Sequence, residues 1–250
     1  SSAHIKNLTK AVYRTGIDID DLVMSVLAVG EAVTTPRQRD LGVCVVNIGG
    51  STTSLVVYEE GEILHSVVLP IGSEHVTNDL AIGLKSSIDV AERVKREYGQ
   101  CVNNGLTKKD KVDLASLGSD LSEDVSIKFI AEIIGARMEE VLGKIDKELA
   151  SISRSRLLPA GIIFTGGGSK IPGLIELSKD VLGLPSSLGY PMDIKSVSEK
   201  INDLSFGAAV GLVKWGSNLR QGAGKNSRLK IKNMDKVSRQ VRDWFKSLVP

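Results

Sequence analysis

Apolar positions along the chain follow two rhythms that replace one another. Ile5, Leu8 and Val12 recur at helical spacing and Gly16 closes the run, which predicts a short helix over residues 6–16; residues 22–28 then read as a strand or as a buried helix. The rhythm shortens at Leu41-Gly42-Val43-Cys44-Val45-Val46-Asn47-Ile48, a compact apolar run before a glycine turn. Leu55-Val56-Val57-Tyr58 follows the turn, and residues 63–69 make a third run behind Glu60-Gly61-Glu62, so the three predict a strand meander. From Ser73 the helical period returns through Val76, Leu80 and Leu84 and then Ile88, Ala91, Val94 and Tyr98, with Gly99 as the stop.

Residues 107–121 are polar and broken, which predicts irregular chain or short strands. A long helix is predicted over residues 122–153, its stripe carried by Ile127, Ile130, Ile134, Met138, Val141, Leu142, Ile145 and Leu149. Leu158-Pro159-Ala160-Gly161-Ile162-Ile163-Phe164-Thr165 reads as a buried strand entering Gly166-Gly167-Gly168, with a helix over residues 174–182 behind it. Turns with a short apolar piece fill residues 185–203, and a small-residue helix over 206–215 closes the body. Residues 216–227 are rich in Gly, Asn and Ser, the composition of a flexible linker, and a separate helix is predicted over 235–249.

Composition narrows the class. The 250 residues, 42% hydrophobic and 25% charged, suffice for one large domain or two lobes and exclude disorder throughout. No apolar run approaches the roughly 18 residues of a membrane span, and the first residues lack the basic and apolar regions of a secretory leader, so the chain is expected neither to span a membrane nor to be secreted. Cys44 and Cys101 have no CxxC spacing and the three histidines are unpaired, so neither a disulfide framework nor a metal site is expected and a reducing cytoplasm is the default. The opening Ser1, in place of an initiator methionine, reads as the start of a piece of a longer chain.

Three motifs carry candidate chemistry. Ile48-Gly49-Gly50-Ser51-Thr52-Thr53 joins two β-branched strands, where adjacent glycines let the backbone approach a phosphate and Thr hydroxyls add donors; a plain hairpin is the other reading. Glu92, Lys95 and Arg96 stand at i, i+3 and i+4, so all three leave one side of a helix, as a ligand face or as a solvated charged face. Gly166-Gly167-Gly168-Ser169 follows a strand and precedes Pro172-Gly173 and a helix, which suits a flat or anionic group lying on the backbone or a tight strand-to-helix connection.

Taken together and in order, these residues resemble the actin and heat-shock-chaperone ATPase superfamily and, within it, the FtsA family of bacterial cell-division proteins. The resemblance runs through Asn47-Ile48-Gly49-Gly50-Ser51-Thr52-Thr53, Ile71-Gly72-Ser73-Glu74-His75-Val76-Thr77-Asn78-Asp79-Leu80, Ala91-Glu92-Arg93-Val94-Lys95-Arg96-Glu97-Tyr98-Gly99 and Leu157-Leu158-Pro159-Ala160-Gly161-Ile162-Ile163-Phe164-Thr165-Gly166-Gly167-Gly168-Ser169-Lys170-Ile171-Pro172-Gly173. It implies an α/β, actin-like ATPase (ribonuclease-H-like) fold, of which this chain is mainly the second lobe. Residues 1–40 would end the first lobe. Residues 41–99 and 157–215 would form a nucleotide-binding subdomain and 100–156 a smaller one, before a linker at 216–234 and an amphipathic helix at 235–250.

The same resemblance implies that Gly49, Gly50, Ser51, Thr52 and Thr53 hold phosphates of ATP with Mg²⁺. Glu92, Lys95 and Arg96 would meet ribose and adenine, Gly166, Gly167, Gly168 and Ser169 the adenosine, and Glu31 would orient an attacking water. The sequence departs from the family at Asn47 and Ser54, where carboxylates are usual, which implies binding with weak hydrolysis. Also implied are self-assembly into filaments and capture of the C-terminal tail of the tubulin-like division protein FtsZ on residues 100–156, with Arg137 as a contact.

Charge is distributed unevenly along the chain. Residues 220–250 hold nine Lys and Arg against two Asp, a local +7 that leaves −5 on the rest of a chain whose total is +2. Val237, Val241, Trp244, Phe245 and Leu248 form one helical stripe, with Lys236, Arg239, Arg242 and Lys246 on the other side and flank, the pattern of a helix lying on an anionic membrane surface. Nucleic acid fits this alternation poorly. The expected function is a division-site adaptor, peripheral on the cytoplasmic face of the inner membrane, that tethers FtsZ filaments. An active actin-like ATPase and a pilus-assembly adaptor of the same fold are the alternatives.

Overall fold

The computed structural model describes residues 2–107, 109–119, 124–193 and 201–224. Helices α1 (Ser2–Tyr13), α2 (Ser25–Val33) and α3 (Pro36–Leu41) lead into strands β1 (Val43–Ile48), β2 (Thr53–Glu59) and β3 (Glu62–Leu69). Then come α4 (Ser73–Gly83), α5 (Ile88–Tyr98), the short strands β4 (Lys111–Asp113) and β5 (Asp124–Ser126), and the long α6 (Ile127–Ser151). β6 (Ile162–Thr165), α7 (Leu174–Leu182), β7 (Ser186–Leu188) and α8 (Gly207–Gly224) complete the order.

The predicted meander forms, and it supplies three strands of a five-stranded sheet in the order β3-β2-β1-β6-β7. β1 runs antiparallel to β2 and parallel to β6, so it lies at the centre, and its side chains divide between two cores. Cys44, Val46 and Ile48 face one layer with Leu55 and Val57, where α4, α5, α6 and α7 deliver Val76, Leu80, Val94, Ile134, Met138, Leu142 and Leu174. Val43 and Val45 face the other layer with Val56, Tyr58 and Ile163, covered by Val26, Val29, Ala32 and Val33 of α2 and by Val210 of α8. The result is a sheet sandwiched between helices, as an α/β chain requires for a strand buried on both faces.

Several expectations are corrected. The open choice at residues 22–28 resolves as helix, since α2 buries Val26, Val29, Ala32 and Val33 along one stripe. The long helix begins at Ile127, because Asp124–Ser126 pairs with Lys111–Asp113 instead. In the stretch expected to hold turns and a short apolar piece, Ser186, Ser187 and Leu188 carry no alternation and become a strand by pairing in parallel with Ile162, Ile163 and Phe164. Ser1–Trp215 form one compact unit. The division falls where the linker at 216–234 was expected to begin, and α8 runs on into that segment as far as Gly224.

Candidate functional site

Parallel pairing of β1 with β6 sets the site. Asn47 stands opposite Thr165, so the glycine turns that follow these two strands emerge side by side at their carboxyl ends, the usual place for a ligand in an α/β sheet. The second turn is seated on the first: a Cβ on Gly166 would lie 2.4 Å from the Ile48 carbonyl oxygen, and one on Gly168 would lie 2.4 Å from Ile48 Cγ2. Gly166 has φ +89°, and its N–H donates to the Leu204 carbonyl at 3.0 Å. Gly167 is different. It is exposed, and its nearest neighbour, Ser205 Oγ, is 3.7 Å from where its Cβ would be.

The first turn is fastened from below by α4. Ser73 N–H donates to the Gly49 carbonyl and Glu74 N–H to the Gly50 carbonyl, both at 2.9 Å. Gly72 must be glycine for this approach, because a Cβ there would stand 2.2 Å from the Gly50 oxygen. Within the turn, Gly49 N–H donates to the Thr52 carbonyl at 2.9 Å. None of these bonds uses the N–H of Gly50 or Ser51. Thr53 is fully buried, and its hydroxyl has no hydrogen-bond partner among the described residues.

The α5 face and the second glycine turn meet across a cleft of about 350 Å³, lined by Glu92, Lys95 and Arg96 on one side, Gly167, Gly168, Lys170, Ile171 and Pro172 on the other, and Ser73 beside the first turn. Its size suits a small molecule. The three α5 residues are not equivalent. Lys95 uses its ammonium on Glu92 Oε2 at 2.5 Å, Thr77 Oγ1 at 2.8 Å and the Ser73 carbonyl at 3.3 Å, and its side chain is 9% exposed. Glu92 also accepts from Thr77 Oγ1 at 2.7 Å. Burial works to raise the Glu92 pKa, but hydrogen bonds from Lys95 and Thr77 and the charges of Lys95 and Arg96 outweigh it and hold the carboxyl below its ordinary range. Arg96 is exposed and unpaired among the described residues, which leaves its charge to an incoming group.

Lys170, which the motif reading did not single out, supplies a second cation held at 2.6 Å from Asp203 Oδ2. The Lys170 hydrogen bond first, then the Ser205 N–H, depresses the Asp203 carboxyl to about 2. A carboxyl lowered in the fold stabilises the native state above the unfolded value near 4, and that contribution disappears as pH falls from about 4 toward 2. Accordingly, the difference in melting temperature between the wild type and Asp203→Asn is expected in full at pH 6 and should narrow as pH falls from about 4 toward 2. An equal difference at both pH values would mean that the Lys170–Asp203 pair does not form.

Other expected site residues are placed elsewhere or used internally. Ser169 is buried and donates to the Thr165 carbonyl at 2.6 Å, so its hydroxyl braces the turn. Glu31 is paired with Arg39, whose guanidinium lies 5.8 Å from the centre of the Tyr58 ring. Tyr58 pairs with Val43, at the far end of β1 from the glycine turn and about 16 Å along the strand, so Glu31 does not reach that turn. Arg137 grips Asp79 in two places, Nε to Oδ2 at 2.5 Å and a terminal nitrogen to Oδ1 at 2.8 Å, and also bonds Glu140. It clamps α6 to α4 through these bonds. Asn47 and Ser54 are direct partners across β1 and β2, so both expected carboxylates are missing from one spot. Burial pushes the Cys44 and Cys101 thiols up to about 12, far from a thiolate nucleophile. The tail residues 235–250 lie outside the described residues.

A family model described as cell division protein FtsA matches residues 44–211, which spans both glycine turns and the α5 face. The chain belongs to the FtsA family. A cell division protein FtsA of Neisseria meningitidis serogroup B is 36% identical over 216 residues, which are 85% of this chain and 52% of that protein. This FtsA-family chain spans about half the length of the curated relatives it matches. Among solved structures, MreB5 of Spiroplasma citri bound to ADP superposes with a TM-score of 0.70 at 16% identity, covering 90% of this chain and 68% of that one. The PilM–PilN type IV pilus biogenesis complex gives 0.64 at 23% identity, covering 85% and 57%. These likenesses establish the actin-like fold. Among the described residues no helix is long and apolar enough to cross a membrane.

Proposed function

We propose that the cleft between α5 and the Gly166-Gly167-Gly168 turn binds an adenine nucleotide, and that the protein of which this lobe is part uses it to assemble and to tether FtsZ filaments at the division site. The observation that carries this reading is the meeting of Arg96, Gly167 and Lys170 in one cleft beside the phosphate-type turn at Gly49 and Gly50. Two cations without a committed acid on Arg96 favour an anion, and the open Gly167 backbone admits a flat group at van der Waals distance. That MreB5 was solved with ADP supports a nucleotide over other anions.

The residues fit the nucleotide better than they fit a protein-held Mg²⁺. Asn47 and Ser54 offer neutral oxygens where carboxylates would hold a cation, and among the described residues no group of three His, Cys, Asp or Glu side chains gathers. When bound, Mg²⁺ would neutralise charge on the phosphates. The chain itself orients and encloses the ligand: Ser73 and Glu74 fix the first turn, Lys95 fixes α4 against α5, and Arg96 and Lys170 flank the cleft. Glu31 is held by Arg39, and Asn47 and Ser54 carry no charge, which supports a binding role over rapid hydrolysis and favours the adaptor over the active ATPase.

The amphipathic stripe at Val237, Val241, Trp244, Phe245 and Leu248 supports attachment to an anionic membrane surface. Two measurements test the proposal in the full-length protein. Gly167→Val is expected to keep its melting temperature and lose ATP binding at least tenfold by calorimetry, because the side chain enters the cleft without touching the fold. Trp244→Glu is expected to abolish sedimentation with anionic liposomes, as is high salt. Unchanged ATP affinity in Gly167→Val would move the ligand elsewhere, and liposome binding by Trp244→Glu equal to the wild type would leave the tail helix as a docking element for a partner.

A further inference from the structure

Beside the cleft, a buried hydroxyl joins α4 to α5. Thr77, on α4, is 4% exposed and does not itself line the cleft, but Ser73, Glu92 and Lys95, the three residues its hydroxyl meets, all do. A helical threonine ordinarily returns its proton to the carbonyl four residues back. Here that carbonyl belongs to Ser73, at 3.3 Å, but the Glu92 carboxylate is nearer, at 2.7 Å to Oε2, and charged. With one proton to give, the hydroxyl serves Glu92. Its oxygen accepts from Lys95 Nζ at 2.8 Å, the Ser73 carbonyl takes a second ammonium proton at 3.3 Å, and Glu92 Oε2 takes the third at 2.5 Å. Lys95 therefore has no N–H left for a ligand. What the cluster leaves open is Glu92 Oε1, which accepts from no described residue, on a side chain 42% exposed.

We propose that Thr77 is a positioning residue of the cleft: its hydroxyl holds Glu92 so that Oε1 is left as the acceptor for a ligand's O–H or N–H groups, and it ties that wall, through Lys95 and Ser73, to the turn at Gly49 and Gly50. This rests on the nucleotide reading of the cleft. Ser73 is bonded at both ends, its carbonyl to Lys95 and its N–H to the Gly49 carbonyl at 2.9 Å, so a single residue separates the α5 wall from the first glycine turn. Packing alone does not call for a hydroxyl here, because an apolar residue of the same shape would fill a buried position on α4 without needing partners. What the hydroxyl adds is a fixed direction for the carboxylate. Without it, Glu92 keeps its cation but loses the second bond that fixes Oε2, and Lys95 loses an acceptor on α4. A group held by two hydrogen bonds is pre-organised, whereas one held by a single flexible ion pair has to be ordered when the ligand arrives.

The test is calorimetric titration of the full-length protein with ATP and with adenosine, for the wild type, Thr77→Val, Thr77→Ser, Glu92→Gln and the double variant of Thr77→Val with Glu92→Gln. Thr77→Val should weaken ATP binding about tenfold and adenosine binding by less, because ATP draws on both the wall and the turn that Thr77 joins. Thr77→Ser should stay within about twofold of the wild type, and the double variant within about twofold of Glu92→Gln, since the two changes remove one arrangement. A second readout needs no ligand. Burial works to raise the Glu92 pKa, and the bonds from Lys95 and Thr77 hold it below its ordinary range. The carboxyl-carbon titration of Glu92, identified by its absence in Glu92→Gln, should therefore move to higher pH in Thr77→Val and return in Thr77→Ser. Thr77→Ala takes the same place in the series if Thr77→Val does not fold. Additive losses in the double variant, the same loss in Thr77→Ser as in Thr77→Val, or an unmoved carboxyl titration would overturn the proposal and leave Thr77 a packing residue. Equal losses for ATP and adenosine would overturn the tie to the first glycine turn. Failure of the wild type to bind either ligand would instead overturn the nucleotide reading, an outcome the ligand-free carboxyl titration keeps distinct.

Discussion

Gly166→Ala is expected to lose about 3 kcal/mol or more of stability and to leave little folded protein at 37 °C. Two costs add at this position. Its φ of +89° with ψ of 164° belongs to a region that residues with a Cβ scarcely enter, which alone costs about 1–3 kcal/mol. The new methyl would also lie 2.4 Å from the Ile48 carbonyl oxygen and 2.5 Å from Asn47 Oδ1, so β1 and β6 would have to part at the end of their parallel register. Neighbouring Gly167→Ala meets nothing closer than 3.7 Å and should stay within about 0.5–1 kcal/mol of the wild type. Urea unfolding of the pair checks this contrast. Equal stability in the two variants would mean that the second glycine turn is not seated on Ile48.

Lys95→Met is expected to be the second most damaging change, costing about 2–4 kcal/mol while preserving the aliphatic stem. The substitution strands three partners at once: Glu92 loses its cation, buried Thr77 keeps only its other bonds, and the Ser73 carbonyl loses a donor. Because Glu92 titrates below its ordinary range in the fold, the contribution is present above the unfolded glutamate value near 4.3 and fades as pH falls through the lower folded value. Thermal melts at pH 7 and pH 3 should therefore show a gap that narrows in acid. Arg96→Ala, by contrast, should hardly move the melting temperature, since Arg96 is exposed and unpaired among the described residues; its loss should instead be read in ligand affinity.

The contrast between Lys95 and Arg96 illustrates what sequence patterning resolves. Spacing at i, i+3 and i+4 correctly places Glu92, Lys95 and Arg96 on one side of α5, and the cleft brings that side to the glycine turn. Spacing says nothing of Thr77 and Ser73, which belong to another helix and consume Lys95. The same holds for Arg137, whose partner Asp79 is 58 residues away, and for Glu31, which Arg39 holds toward Tyr58. Gly72 left a faint local signal, a glycine where the following Ser73 would make a better helix cap; only the approach of the Gly50 carbonyl explains it.

By itself, the amino-acid order determined the features governed by neighbours a few residues apart. Those are the period-two meander at Val43–Ile48 and Thr53–Glu59, the helix Leu174–Leu182 between its two left-handed glycines, and the glycine turns that close each central strand. Short-range sterics and hydrogen bonding act on every chain with that local pattern, so such features are legible in advance. Tertiary structure alone decided that Ser186–Leu188 is a strand, that residues 25–33 are a helix, and that Arg96 has no ion-pair partner among the described residues. Each of these depends on a hydrogen-bond or charge partner brought near by folding, whose free energy has no counterpart in the spacing of residues along the chain.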